Sequence, residues 1–415
     1  MSKLIGIAVI IGILLLIDLY VYQAVRVVVE DWSVQGKSIA RYSFWGLTVL
    51  SMVALLWYAY GNPFMNSRLP IRSFVLVGIV AIYFSKIFSI LFIFIDDLQR
   101  GVRWVIDFFN RGASGIPGEN IPRSEFLAKT ALAVSAVPLG LMAYGIISGA
   151  HDYRVRRVTI KLPNLPKAFD GITIGQISDI HSGSFFNKTA VKGGVELFLR
   201  EKPDVIFFTG DLVNNQAKEI EDYFDVFNKL KAPLGVFSIT GNHDYGDYAS
   251  WDSVADKKRN FQDLMKAHHL LGYDLLMNEH RFIELNGEKI AILGNENWGA
   301  GRFSKYGKLS EAYAGTEEAP VKLLLSHDPT HWDAQVRPTY PDIDMMFAGH
   351  THGFQFGVEV GPIKWSPVQY VYKQWGDLYQ EGNQYLYVNR GFGFIGYPGR
   401  IGMPPELTMF ELKRG

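Results

Sequence analysis

The sequence predicts an α+β fold of two packed β-sheets flanked by helices, preceded by an α-helical membrane region of four transmembrane helices. Three observations predict it. Residues 1–150 are dominated by long apolar runs, whereas 151–415 alternate strand-like runs, amphipathic helices and Gly/Pro turns. Within the second part, Asp, His and Asn recur immediately after short apolar runs: Asp179-Ile-His181, Gly210-Asp211, Gly241-Asn-His-Asp244, His327 and Gly349-His-Thr-His352.

Four segments, about 4–29, 42–60, 73–95 and 126–148, meet the roughly 20 apolar residues that a membrane crossing requires. The first has too long an apolar core, and no small-residue cleavage site, for a signal peptide, so it reads as an uncleaved helix. Trp45, Trp57, Tyr58 and Tyr60 stand near the ends of the second span, as interfacial aromatics do. Four crossings put the N-terminus and residues 151–415 on one side of a multi-pass cell membrane, read as a bacterial inner membrane. Arg26, Lys37, Arg41, Arg100, Arg103, Arg111 and Arg123 flank the spans on the other side. Lys3, Arg68, Arg72, Arg154, Arg156, Arg157 and Lys161 balance them, so positive charge does not set the orientation. The stretch Pro122-Arg-Ser-Glu-Phe-Leu-Ala-Lys129 resembles a twin-arginine export signal with Ser124 in place of the second arginine, and inclines the reading towards an exported domain.

Asp18 and Lys86 fall mid-span, where a charge is costly unless paired; pairing with each other is expected, and an ion or proton pathway is the alternative. The run Leu98 to Phe109 is expected to form an interfacial amphipathic helix over about 97–110.

In 151–415, strands are expected at 155–162, 172–178, 205–209, 235–240, 281–285, 289–293, 322–326, 345–348, 384–388 and 407–412. Helices are expected at 188–200, about 217–230 and near 254–270. Ligands of such sheets bind beyond the carboxyl ends of the strands, where the Asp/His fragments fall. The balance of 41 basic and 41 acidic residues gives no sign of a nucleic-acid partner, and a chain with no cysteine has neither disulfides nor thiolate ligands.

Carboxylates, imidazoles and an amide at successive strand ends suit two divalent metals, manganese, iron or zinc. Asp179 and His181 can face one ion together. Asp211 also suits a helix N-cap, but its two oxygens make it a natural bridge between ions. Gly241 permits a tight turn, Asn242 offers a neutral oxygen, and His350 and His352 flank Thr351 at another strand end.

With these motifs, residues 151–415 resemble the calcineurin-like metallophosphoesterases, of the bacterial membrane-associated type. The resemblance implies an α/β/β/α sandwich of two mixed sheets and a binuclear metal centre. It implies that Asp179, His181, Asp211 and His352 hold one ion and that Asp211, Asn242, His327 and His350 hold the other. His243 would face the phosphate, with Asp244 orienting its ring. The reaction implied is attack of metal-activated hydroxide on phosphorus in a phosphodiester, phosphomonoester or pyrophosphate.

Asn389-Arg-Gly-Phe-Gly393, Arg400 and Pro404-Pro-Glu406 also match the family, with salt bridges within the fold favoured over phosphate clamps for Arg390 and Arg400. Phe354 stands where the family often has a second glycine. The apolar segments 391–398 and 365–372 suit either burial or insertion into the bilayer interface. The resemblance extends to enzymes cleaving nucleotide-lipid pyrophosphates, including UDP-2,3-diacylglucosamine diphosphatases, so a lipid-linked phosphoester is the substrate expected first. A soluble nucleotide or cell-wall phosphate, and a non-catalytic membrane phosphate sensor, are the alternatives.

Overall fold

The computed structural model describes residues 3–60, 71–110, 121–361 and 363–415. Arg68 and Arg111 of the flanking cations lie outside the described residues, as do the side chains of Lys3 and Arg72. The chain divides into a helical unit reaching Tyr144 and a second unit from Gly145 to Gly415.

The helical unit contains α1 (Lys3–Val28), α2 (Val34–Tyr60), α3 (Ile71–Asn110) and α4 (Glu125–Ile147). The candidate spans Leu4–Val28, Val34–Tyr60, Phe74–Phe109 and Glu125–His151 have mean hydropathies of 2.8, 1.5, 2.3 and 1.8, and the protein is an integral, multi-pass membrane protein. The expected interfacial helix over 97–110 is not a separate element. It continues α3, because no proline interrupts the junction and an Asp97–Arg100 ion pair spans it at helical spacing.

Asp18 is fully buried and pairs with Lys86. Its other oxygen accepts from Thr48 Oγ1 at 2.8 Å and Tyr83 Oη at 2.7 Å, so one carboxylate ties α1 to α2 and α3. Removing one partner leaves the other charge uncompensated. Asp18→Ala is therefore expected to destabilise the helical unit by about 3–5 kcal/mol, read as a lowered Tm in detergent. An unchanged Tm would show that the pair does not hold these helices together. Arg123, in the export-like stretch two residues before α4, pairs with Asp96 at 3.1 Å and Asp97 at 2.8 Å, and so ties the approach to α4 to α3.

The strands are β1 (Arg154–Leu162), β2 (Thr173–Ile177), β3 (Val205–Phe208), β4 (Val236–Ser238), β5 (Asp274–Leu275), β6 (Glu279–Leu285) and β7 (Glu288–Gly294). There follow β8 (Lys322–Leu325), β9 (Met345–Ala348), β10 (Val358–Val360), β11 (Ile363–Trp365), β12 (Asp377–Glu381), β13 (Gln384–Val388) and β14 (Glu406–Arg414). One six-stranded sheet runs β1-β14-β2-β3-β4-β5, the other β12-β13-β9-β8-β7-β6, and β10 and β11 form a separate hairpin. Both large sheets are mixed: β2, β3, β4 and β5 are parallel with β14 antiparallel to β2, and β7, β8, β9 and β13 are parallel with antiparallel edges.

Period-two alternation explains the layers. Val205 and Phe207 of β3 meet Leu323, Leu325, Met345 and Phe347 of the other sheet in a core between the sheets. Ile206 and Phe208 point the other way, to Val195 and Phe198 of the helix Lys188–Leu199. Leu324 and Met346 face Trp332 and Val336 on the opposite outer side. The helix expected at 217–230 is a 3₁₀ segment, Ala217–Tyr223, followed by a short helix, Phe224–Phe227. The short strands β5 and β10–β12 were not expected, because two to five residues carry too little alternation to read.

Candidate metal centre

Strands β2, β3 and β4 of one sheet and β8 and β9 of the other end at a common edge. The residues just beyond them, Asp179, Asp211, Asn242, His327 and His350, reach one region from both sheets. Five of the predicted ligands hold left-handed backbone without being glycine: Asp179 (φ 52), His181 (φ 49), Asp211 (φ 60), His350 (φ 75) and His352 (φ 51). Each such residue costs on the order of 1 kcal/mol or more, and such strain concentrates where side chains must be aimed. The flanking glycines are explained by close approach. A Cβ on Gly241 would lie 2.2 Å from Asp211 Oδ1, and one on Gly349 would lie 2.2 Å from Asp179 Oδ2.

Two groups of donors converge within 4.8 Å: Asp179, His181 and His352, and Asp179, Asp211 and His327. All five residues are buried. His352 Nε2 lies 3.2 Å from Asp179 Oδ1 and 3.0 Å from His181 Nε2. Asp211 Oδ2 lies 3.5 Å from His181 Nε2 and 3.1 Å from His327 Nε2, so one carboxylate oxygen faces both groups.

His327 tests whether the site fits a metal. Its Nδ1 donates to the Thr209 carbonyl at 2.7 Å, which leaves Nε2 as a lone pair in the neutral ring. That Nε2 is buried without an aligned hydrogen-bond partner although Asp211 Oδ2 is only 3.1 Å away. Such an atom, its ring held from behind by a backbone carbonyl, is a ligand set up for a cation. In the protein alone, burial opposes the charge on His327, but Asp211 and Asp179 raise the ring to about 10. Burial likewise opposes the charge on Asp179, yet His352 and His327 hold its carboxyl below the ordinary range. The donor set of carboxylates and imidazoles fits divalent metals.

Asn242 and His350 stand together beside these groups. Asn242 Oδ1 is 2.8 Å from His350 Nδ1, and His350 Nε2 is 2.8 Å from the Tyr372 hydroxyl. The His350 amide donates to Asp179 at 3.0 Å, which links this pair to the first group.

His243 is half-buried. Its ring lies 5.0 Å from that of His181 and 4.6 Å from that of Tyr248. The role expected for Asp244 is corrected. Its carboxylate accepts the amides of Asp211 (2.9 Å), Leu212 (2.9 Å), Val213 (3.3 Å) and Gly241 (2.9 Å) and does not meet the His243 ring. A fully buried carboxylate is stable only when its oxygens are satisfied, and four turn amides do so. The Asn214 carbonyl orients His243 instead, accepting from Nδ1 at 2.9 Å. Glu219 in turn fixes that loop, accepting from the amides of Asn214 at 2.6 Å and Gln216 at 2.9 Å.

Asn214, Tyr248, Tyr372 and Glu219 were missed by sequence reasoning. Only Asn214, three residues after Asp211, carried any signal, and a carbonyl's direction cannot be read from residue type. Arg390 pairs with Glu359 at 2.8 Å and Asp377 at 2.7 Å. Arg400 donates to the carbonyls of Arg390 at 2.8 Å and Met403 at 3.2 Å. Both therefore brace the fold.

Residues 172–354 match the family described as calcineurin-like phosphoesterase, and residues 2–150 match the one described as probable calcineurin-like phosphoesterase, transmembrane domain. The chain is 32% identical over 267 residues to the uncharacterized metallophosphoesterase YkuE of Bacillus subtilis, covering 63% of this chain and 86% of that one. A transmembrane protein with metallophosphoesterase domain from Danio rerio is 29% identical over 293 residues, with 68% of this chain and 62% of that one covered. Its counterpart from Bos taurus is 25% identical over 387 residues, with 90% and 82% covered, so the similarity extends through the helical region.

Proposed function

The chain belongs to the calcineurin-like metallophosphoesterases with an N-terminal transmembrane domain, and from that premise we propose that it hydrolyses a lipid-linked phosphoester at a binuclear centre. Asp179, His181, Asp211 and His352 hold one ion in this reading, and Asp211, Asn242, His327 and His350 hold the other. The observation that carries it is the single Asp211 oxygen facing His181 on one side and His327 on the other. Two divalent cations, manganese, iron or zinc, would polarise the phosphoryl oxygens and supply hydroxide from water near neutral pH.

The protein's own groups do the rest. Because His243 Nδ1 is committed to the Asn214 carbonyl, Nε2 is the atom that serves the substrate. As the new P–O bond forms and the ester P–O bond breaks, protonated His243 stabilises the phosphoryl oxygens or passes its proton to the departing alkoxide. Asp244 positions Asp211 by its hold on the Asp211 and Gly241 amides. Asn242 supplies an oxygen without adding negative charge, which keeps the site receptive to an anionic ester.

The test is hydrolysis of an aryl phosphodiester and an aryl phosphomonoester by the full chain in detergent with added manganese, iron or zinc. Metal-dependent release of the phenol is expected. Inactivity across all three metals and both ester types would favour a phosphate-binding protein without turnover.

A further inference from the structure

We infer that the surface formed by residues 354–361 and 363–371 docks on the bilayer and delivers a lipid-borne phosphoester to the metal centre. Its substrate rests on the reading above; the docking does not. Phe354, Val358, Val360, Ile363, Tyr370 and Val371 are 45–76% exposed within this short stretch. From β1 onward, the other described residues expose large apolar side chains only at scattered positions: Tyr248, Val254, Leu270, Phe282 and Leu378. Scattered single residues are ordinary, whereas a contiguous patch marks a contact surface.

The hairpin is built the reverse of a hairpin in water. Cross-strand partners share a face. The pairs Val358–Trp365 and Val360–Ile363 therefore occupy one face and Glu359–Lys364 the other. The charged face is turned to the protein, where Glu359 pairs with buried Arg390 at 2.8 Å and Lys364 pairs with Asp377. The apolar face is left outward. Phe354, at φ 54, holds a bulky, half-exposed side chain in backbone that favours glycine. Exposed Tyr370 and part-exposed Trp365 are the residue types that settle at headgroup level.

Position identifies the occupant. Phe356 bridges to Ile401, and the Gly357 amide donates to the Ile401 carbonyl at 2.9 Å. A Cβ on Gly145, in the last turn of α4, would lie 2.8 Å from Ile401 Cγ1, and the Arg400 amide donates to the Gly145 carbonyl at 3.1 Å. The apolar surface thus adjoins Gly145, the residue at which the second unit begins and which the fourth candidate span, Glu125–His151, includes. Its other side reaches the metal centre, since Ser366 Oγ donates to the carbonyl of Gly353, next to His352, and Tyr372 meets His350. The segment 391–398, the other interfacial expectation, is mostly packed inside, with Phe392 and Phe394 fully buried.

The chain has no cysteine, so Ile363→Cys can carry one environment-sensitive fluorophore in the full protein. In phosphatidylcholine–phosphatidylglycerol vesicles its emission should shift to the blue and be quenched by doxyl-labelled lipid. The same label at Leu270→Cys should stay water-like. Unquenched emission at 363 would overturn the docking, and disulfide-linked pairs of Ile363→Cys chains would assign the surface to a second copy instead. The double variant Val360→Glu/Ile363→Glu should lose about tenfold in kcat/KM on phosphatidic acid vesicles and keep its rate on a soluble aryl ester. Equal loss on both substrates, or none on the lipid, would overturn the delivery route. Wild-type inactivity on every ester would defeat the phosphoesterase reading and leave the quenching result standing.

Discussion

Asp211→Ala is expected to abolish turnover, by about a thousandfold or more, and to strip metal from both positions, because a shared ligand serves the electrophile and the nucleophile alike. Its Oδ2 is the atom between the His181 and His327 groups, while Oδ1 accepts the His243 amide at 2.9 Å. Alanine removes both roles, so the loss could reflect a displaced turn. Asp211→Asn separates them: it retains an oxygen for the His243 amide and removes the charge. Metal content by plasma mass spectrometry, alongside turnover, reads the difference. Asn is expected to keep the fold and lose metal; two ions per chain retained in Asp211→Asn would overturn the bridging role.

His243→Ala should do the opposite to the metals. The chain is expected to keep both ions and lose roughly 10²- to 10⁴-fold in kcat, the usual worth of a positioned proton donor. The deficit should be smallest for esters whose alcohol leaves without needing a proton, such as nitrophenyl esters, and largest for alkyl esters. His243 lies at the edge of the buried cluster, held from behind by Asn214, and belongs to neither converging donor group. Loss of metal in this variant would reassign it as a ligand.

The predicted strand ends and the donors placed on them were legible because each strand carries its own apolar run and each motif is local: Asp179-Ile-His181, Gly241-Asn-His-Asp244 and Gly349-His-Thr-His352. The role of Asp244 was not legible. Its partners are amides of residues 211–213, and such contacts depend on how two strand-end turns meet. The same limit hid Tyr372 behind His350 and Glu219 behind Asn214. Segments 365–372 and 391–398 looked alike as apolar loops, yet Tyr370 is exposed and Phe394 buried. Composition describes what a segment can tolerate; neighbours decide which of its faces water or lipid meets.

By itself the sequence determined the membrane helices, the order of the main strands and the kinds of donor at their ends, since apolar length, period-two alternation and residue chemistry are properties of contiguous chain. Only the tertiary structure decided that Asp18 serves three helices, that Asp244 braces turns and that the β10–β11 hairpin keeps its charged face against Arg390 and Asp377 and its apolar face outward. Those are distances between residues far apart in the chain, and they exist only once the two sheets and the helices have packed.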